Sequence, residues 1–267
     1  MTREIVITDD MSFCSPLFAD GHVSLVMELG ATCHLGQGWT SSTPVRGQAI
    51  GALRTVGGVA GSARPEMLGV YCEPGAASDV LSVPAIELTD RIVGLEDLWG
   101  TGSTQLAEDL VGLDEATRVD RFECALLERL RLARTRGPNV DVASLARWAR
   151  AEPAHMTVHR LADAAGVSRR HLTRVFRDVI GVSPKRYCRL ARFQAGLVHA
   201  GAGTGVKWAQ VATGLGYADQ SHMIAEFREL SSLTPEALAT QHWFHPFIMD
   251  ARFRCSGRPA AGWIERE

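Results

Sequence analysis

Between residues 157 and 180 apolar side chains return every three or four positions, in two series separated by a short break. Val158, Leu161, Ala162 and Ala165 fall at i, i+3, i+4 and i+7, which predicts one apolar face of a helix. Thr157 is a suitable N-cap, and Gly166 supplies a residue that turns left-handed at little cost and stops the helix. Ser168 caps the next helix, whose stripe is Leu172, Val175, Phe176 and Val179. Its opposite face carries Arg169, Arg170, Thr173, Arg174 and Arg177. An amphipathic helix entered through a Gly-x-Ser turn, with arginines outward, has the make-up of a DNA recognition helix. A solvated surface helix is written in much the same way.

Repetition separates the two possibilities. Leu161-Ala162 with Gly166-Val167 recurs 50 positions later as Val211-Ala212 with Gly216-Tyr217. Phe176-Arg177 followed by Val182-Ser183-Pro184 recurs 51 positions later as Phe227-Arg228 followed by Leu233-Thr234-Pro235. Two copies of a helix pair closed by Ser/Thr-Pro point to one duplicated unit, which a surface helix does not require. The second copy presents Asp219, Gln220, Ser221 and His222 outward, side chains that can read base edges, Gln preferring adenine. Ala225 and Glu226 stand where basic residues would help, so the second copy is expected to add less affinity than the first. A helix starting at Pro184 and running to about 200 joins the copies, and another starts at Pro235.

The first half has a different texture. Glu4-Ile5-Val6-Ile7, the run from His22 to Leu29, the stretch from Pro44 to Leu53 and Met67 to Tyr71 read as strands, with glycines at the turns. Such strands favour a small barrel or sandwich. From Pro74 the pattern becomes helical, ending in a helix over 115–134 with Phe122, Ala125, Leu126, Leu130 and Ala133 inward and Arg118, Arg121, Glu128 and Arg131 outward. Residues 135–139, Thr-Arg-Gly-Pro-Asn, form the best boundary, a hinge across which few contacts are expected. The predicted fold is therefore α+β: a β-rich N-terminal barrel or sandwich with packed helices over 1–135, an all-α double helix-turn-helix DNA-binding domain over 136–241, and a tail over 242–267.

Charge sharpens the division. Residues 1–150 hold 13 Lys+Arg and 20 Asp+Glu, a net of −7, whereas residues 151–267 hold 15 and 10, a net of +5. Nine basic residues against two acidic ones fall within 156–199, which makes nucleic acid the natural partner of the second half. With 46% apolar residues and a mean hydropathy near zero, the composition is that of a globular protein. No run reaches the roughly 20 apolar residues of a membrane span, no signal-length segment opens the chain, and a cytoplasmic protein is expected.

Catalytic signatures are missing: there is no Gly-x-Ser-x-Gly, no phosphate loop and no His-Glu-x-x-His. Six cysteines, at 14, 33, 72, 124, 188 and 255, form no CxxC pair, as in a reducing compartment. His22, Cys33, His34 and Cys72 lack the spacing of a metal site, so neither metal nor cofactor is expected. Trp39, Tyr71 and Trp99 are candidates to line a small-molecule pocket, or simply to fill the core.

The duplicated motif, from Leu161-Ala162 through Ser183-Pro184 and from Val211-Ala212 through Thr234-Pro235, resembles the DNA-binding domain of the AraC/XylS family of transcription regulators. The resemblance implies two helix-turn-helix units entering successive major grooves. It implies contacts from Arg170, Thr173 and Arg174 in the first unit and from Gln220, Ser221 and His222 in the second, with Ser168, Arg169 and Asp219 beside them. Two departures are Ala225, where the family has arginine, and Ser232, where it has glycine. Residues 1–135 resemble the N-terminal domain of one subgroup, on Phe18 to Val26, Val70 to Ala76 and Leu95 to Gly100. The expected protein is a sequence-specific transcription regulator, not an enzyme, with double-stranded DNA as partner and an effector held by its first domain. RNA polymerase enters as a partner by resemblance, and a homodimer is possible in principle; activation and repression stay open. The rival is a DNA-repair or modifying protein that uses an activated cysteine of the first domain on the same DNA-binding module.

Overall fold

The computed structural model describes residues 2–6, 13–17, 19–29, 33–36, 47–52, 57–61, 66–133, 140–201 and 204–240. The strands are β1 (Thr2–Val6), β2 (Phe13–Leu17), β3 (Val23–Glu28), β4 (Cys33–Gly36), β5 (Gly47–Ile50), β6 (Gly57–Gly61), β7 (Glu66–Cys72) and β8 (Ile92–Gly94). They form two antiparallel sheets, one ordered β1-β7-β3-β5-β8 and the other β2-β6-β4. The helices of the first half are α1 (Ala76–Leu81), a 3-10 helix (Ala85–Leu88), α2 (Leu95–Trp99), α3 (Gly102–Leu110) and α4 (Glu115–Leu132). The second half is helical throughout its described length: α5 (Val142–Ala151), α6 (Val158–Ala164), α7 (Arg169–Ile180), α8 (Pro184–Gly201), α9 (Trp208–Gly214), α10 (Gln220–Ser231) and α11 (Pro235–Thr240). No described helix is long and apolar enough to cross a membrane.

Strand β3 explains how the halves meet. All six of its residues are buried. Val23, Leu25 and Met27 point one way, into a core shared with α1 to α4 and closed by Trp99, Phe122 and Leu126. Val26 points the other way and, with Ala19, Ile50 and Ala52, belongs to the core of residues 140–238. The larger sheet is therefore covered on both faces, by its own helices and by those of the second half. On the second face the Gln48 amide donates to Glu28 Oε1 at 3.3 Å.

Polar contacts follow the same junction. On α5, the Arg150 guanidinium pairs with Glu73 at 3.1 Å and contacts the His22 ring. Gln194 of α8 donates to the Ala19 carbonyl at 2.6 Å. The Tyr71 hydroxyl meets the Asp20 carboxylate, which lies 3.6 Å from His22. Burial pushes the Asp20 carboxyl up, but the hydrogen bond and charge of His22, aided by Tyr71, outweigh it and hold the group below its ordinary value. At the next turn, Thr89 donates to the Gly181 carbonyl at 2.7 Å, tying the 3-10 helix to the C-terminus of α7. The junction is thus densely packed where the sequence predicted few crossing contacts; the proposed hinge at 135–139 lies outside the described residues.

Helix α4 also departs from its predicted facing. Arg118 is buried, and its guanidinium donates to the carbonyls of Leu110 and Leu113, satisfying backbone at the end of α3. Leu130 is exposed instead. Trp99 lies in the core, with its indole N–H donating to the Val80 carbonyl and the Arg129 guanidinium 5.0 Å from its ring centre. Trp39 lies outside the described residues.

Candidate nucleic-acid interface

The two helix pairs share one backbone construction. In α6–α7, Gly166 takes φ 62°, its N–H bonds Asp163, and the Val167 N–H bonds the Ala162 carbonyl at 3.1 Å. In α9–α10, Gly216 takes φ 73°, its N–H bonds Thr213, and the Tyr217 N–H bonds the Ala212 carbonyl at 3.0 Å. Glycine is needed at 166 for its dihedral alone, since a Cβ there would meet open space. At 216 a Cβ would also stand 2.3 Å from the Ala154 carbonyl oxygen. Ser168 and Asp219 then cap α7 and α10 by accepting the N–H of His171 at 3.2 Å and of His222 at 2.7 Å.

On α7 the apolar stripe lies inward as the periodicity predicts: Leu172, Val175, Phe176 and Val179 are buried. Arg169, Arg170, Arg174 and Arg177 are exposed on the far side. Thr173 sits among them half-buried, its hydroxyl donating to the Arg169 carbonyl at 2.8 Å and keeping acceptor capacity. The Arg174 guanidinium is 3.6 Å from Asp178 and 3.4 Å from the His171 ring, contacts that are easily exchanged in water. Helix α7 thus presents four arginines and a hydroxyl on one solvent-facing surface, three of the arginines in its N-terminal half.

On α10, Gln220, Ser221 and His222 occupy the exposed first turn. The His222 ring is partly committed, since its Nδ1 accepts the Ala218 N–H at 3.4 Å and its edge meets Tyr217 at 5.5 Å. Asp219 spends its carboxylate on the cap and brings negative charge to this end. The predicted residues therefore form two surface groups, one on each helix, and both helices rest on α8.

Glu226 is not on the outward face of α10. It is 5% exposed and turned toward α8, where Oε2 accepts from Arg189 Nε at 2.9 Å and Oε1 accepts from the Tyr217 hydroxyl at 3.4 Å. One turn on, Glu229 pairs with Arg186 at 2.7 Å and with Arg189. Arg186, Arg189 and Arg192 of α8, counted in the basic stretch 156–199, are thus engaged by carboxylates inside the protein. The signal was available: arginines at i, i+3 and i+6 on α8 match carboxylates at i and i+3 on α10.

Ser232, at the position where the first pair has Gly181, holds φ 62° at the end of α10. A side chain in that left-handed region costs about 1–2 kcal/mol. Ser232→Gly should therefore raise stability by about 1 kcal/mol in chemical denaturation; an unchanged midpoint would show that the serine is unstrained.

Among the described residues, the two buried thiols are not activated. Burial pushes Cys72 up to about 12 and Cys188 up to about 11, so both stay protonated at neutral pH. Among the described residues no group of three His, Cys, Asp or Glu could hold a metal ion.

No curated protein matches the chain in sequence. Similar solved structures include ToxT from Vibrio cholerae, at 10% identity and a TM-score of 0.47, covering 88% of this chain and 96% of that one. A second ToxT structure, from V. cholerae strain SCE256 with an unsaturated fatty acid bound, is 8% identical, covers 88% and 92%, and has a TM-score of 0.47. The C-terminal domain of AraT, a response regulator from Geobacillus stearothermophilus, is 17% identical over 43% of this chain and 98% of that one, with a TM-score of 0.34. Residues 161–241, which hold both helix pairs and α8, match a family described as a helix-turn-helix domain, of the AraC type. Residues 161–241 thus carry a helix-turn-helix domain of the AraC type, which supports a DNA-binding transcription regulator.

Proposed function

We propose that the chain reads DNA through two helix-turn-helix units, α6–α7 and α9–α10, joined by α8. The observation that carries this is the shared turn, with Gly166 and Gly216 left-handed and the same backbone bonds reproduced 50 residues apart, each opening onto a polar outward helix face. In this division residues 1–135 sense or assemble, residues 136–241 bind DNA, and 242–267 form a tail. Ser168, Arg169, Arg170, Thr173 and Arg174 face one groove; Asp219, Gln220, Ser221 and His222 face the next. An effector of the first domain would act through its docking on α7, because Thr89 and the 3-10 helix hold that helix at its C-terminus. The protein would work in the cytoplasm, with RNA polymerase and a second copy of the chain as further partners.

Hydroxyl-radical footprinting of the full chain on a selected duplex should give two protected patches, on one face and about one helical turn apart. A single patch would overturn the two-unit assignment. Salt provides a further check. With the α8 arginines engaged by Glu226 and Glu229, roughly four phosphates should be neutralised, mainly by α7, giving a log–log slope near about −3.6. A slope of about −6 or steeper would return the α8 arginines to the interface.

A further inference from the structure

The polar contact between α8 and α10 is built for orientation. Arg186, Arg189 and Arg192 form one row on α8, and Glu226 and Glu229 form the facing row on α10. Arg189 bridges both carboxylates, and Arg192 lies 5.4 Å from the ring centre of Tyr217, in the turn that leads into α10. Beneath this ladder lies an aromatic contact. Phe227 meets Phe193 edge-on at 4.9 Å, in a space that exists because residue 196 is glycine: a Cβ there would stand 2.5 Å from the Phe227 ring. Apolar contact resists separation but is non-directional. Forked guanidinium–carboxylate pairs have fixed geometry and resist rotation. A buried ion pair adds little net stability against a hydrophobic alternative, and its best-attested use is to select one register. The first unit has no such ladder among its described contacts, its α7 being held by buried apolar residues and by the Gly181–Thr89 bond.

We propose that Glu226 and Glu229 are positioning residues that fix the angle of α10 on α8, and thereby set the half-site spacing at which the protein recognises DNA. The assignment rests on the two-unit function proposed above. Neither carboxylate needs to touch DNA. Glu229 is the more exposed partner, yet its hydrogen bonds from Arg189 and Arg186 hold its carboxyl at about 2, so this carboxylate keeps its charge at neutral pH. Losing the ladder should leave both reading surfaces intact and free α10 to settle at more than one angle.

The test selects bound duplexes from a random-sequence pool, with the full chain as wild type, Glu226→Gln, Glu226→Asp and Glu229→Gln. Wild type is expected to enrich two sequence blocks at a single spacing. Glu226→Gln should keep the α7 block, spread the second block over several spacings, and bind the wild-type site on the order of tenfold more weakly. Glu226→Asp, which keeps the charge, should recover the single spacing at least in part. Glu229→Gln alters an exposed position and should show the same broadening if Glu226→Gln fails to fold. Both glutamine variants selecting the wild-type spacing at wild-type affinity would overturn the proposal. So would a wild-type pool with only one block, because α10 would then have nothing to position. A wild-type pool with no block would sink the DNA-reading assignment itself, and this one with it.

Discussion

Arg174→Ala should weaken specific DNA binding by roughly 5- to 150-fold, the equivalent of about 1–3 kcal/mol, and Gln220→Ala should cost distinctly less. Arg174 sits on the exposed face of α7 beside Arg170 and Thr173, and its partners Asp178 and His171 hold it weakly. It can therefore supply a bidentate contact together with a full charge. Gln220 can make two hydrogen bonds to adenine but brings no charge, and the neighbouring Asp219 carboxylate repels phosphate. Isothermal or anisotropy titration of both variants on one selected duplex gives the ranking. Equal losses, or a larger loss at Gln220, would reverse the order of the units.

Gly181→Ala should destabilise the junction between the two halves by about 2–4 kcal/mol. Gly181 has φ 95°, and a Cβ there would lie 2.6 Å from Thr89 Oγ1 and 2.9 Å from the Ala85 carbonyl oxygen. The backbone of the 3-10 helix must then retreat, since one of the opposing atoms is main chain. Hydrogen exchange should rise at residues 85–91 and in the last turn of α7. DNA affinity should fall less than in Arg174→Ala, because Arg169, Arg170 and Arg174 lie in the other half of α7. Unchanged exchange at 85–91 would mean that the first half does not bear on α7 in solution.

The helices of the second half were legible because every signal agreed. Thr157 and Ser168 cap where the stripes begin, Gly166 and Gly181 end them with positive φ, and Ser183-Pro184 opens the connecting helix. The sheet was less so. β2 contains Pro16, β6 is Gly-Gly-Val-Ala-Gly, and β8 spans three residues within a stretch that otherwise reads as helix. Strand β3 was found, but its sequence does not say that Val26 looks into a second core, because burial on both faces depends on what lies across the sheet. Arg118 and Glu226 were misjudged for a shared reason. A charged side chain reads as outward until a partner distant in sequence is known: the carbonyls at the end of α3 for one, and Arg189 for the other.

On the proposed function, this chain discriminates DNA sequences through α7 and α10. The most direct measurement compares the affinity of the full chain for its selected duplex with that for a scrambled duplex of equal length and composition, at physiological salt. A sequence-reading protein should bind the selected duplex at least about 1,000-fold more tightly. Equal affinities would contradict sequence reading and leave only the electrostatic attraction of four exposed arginines.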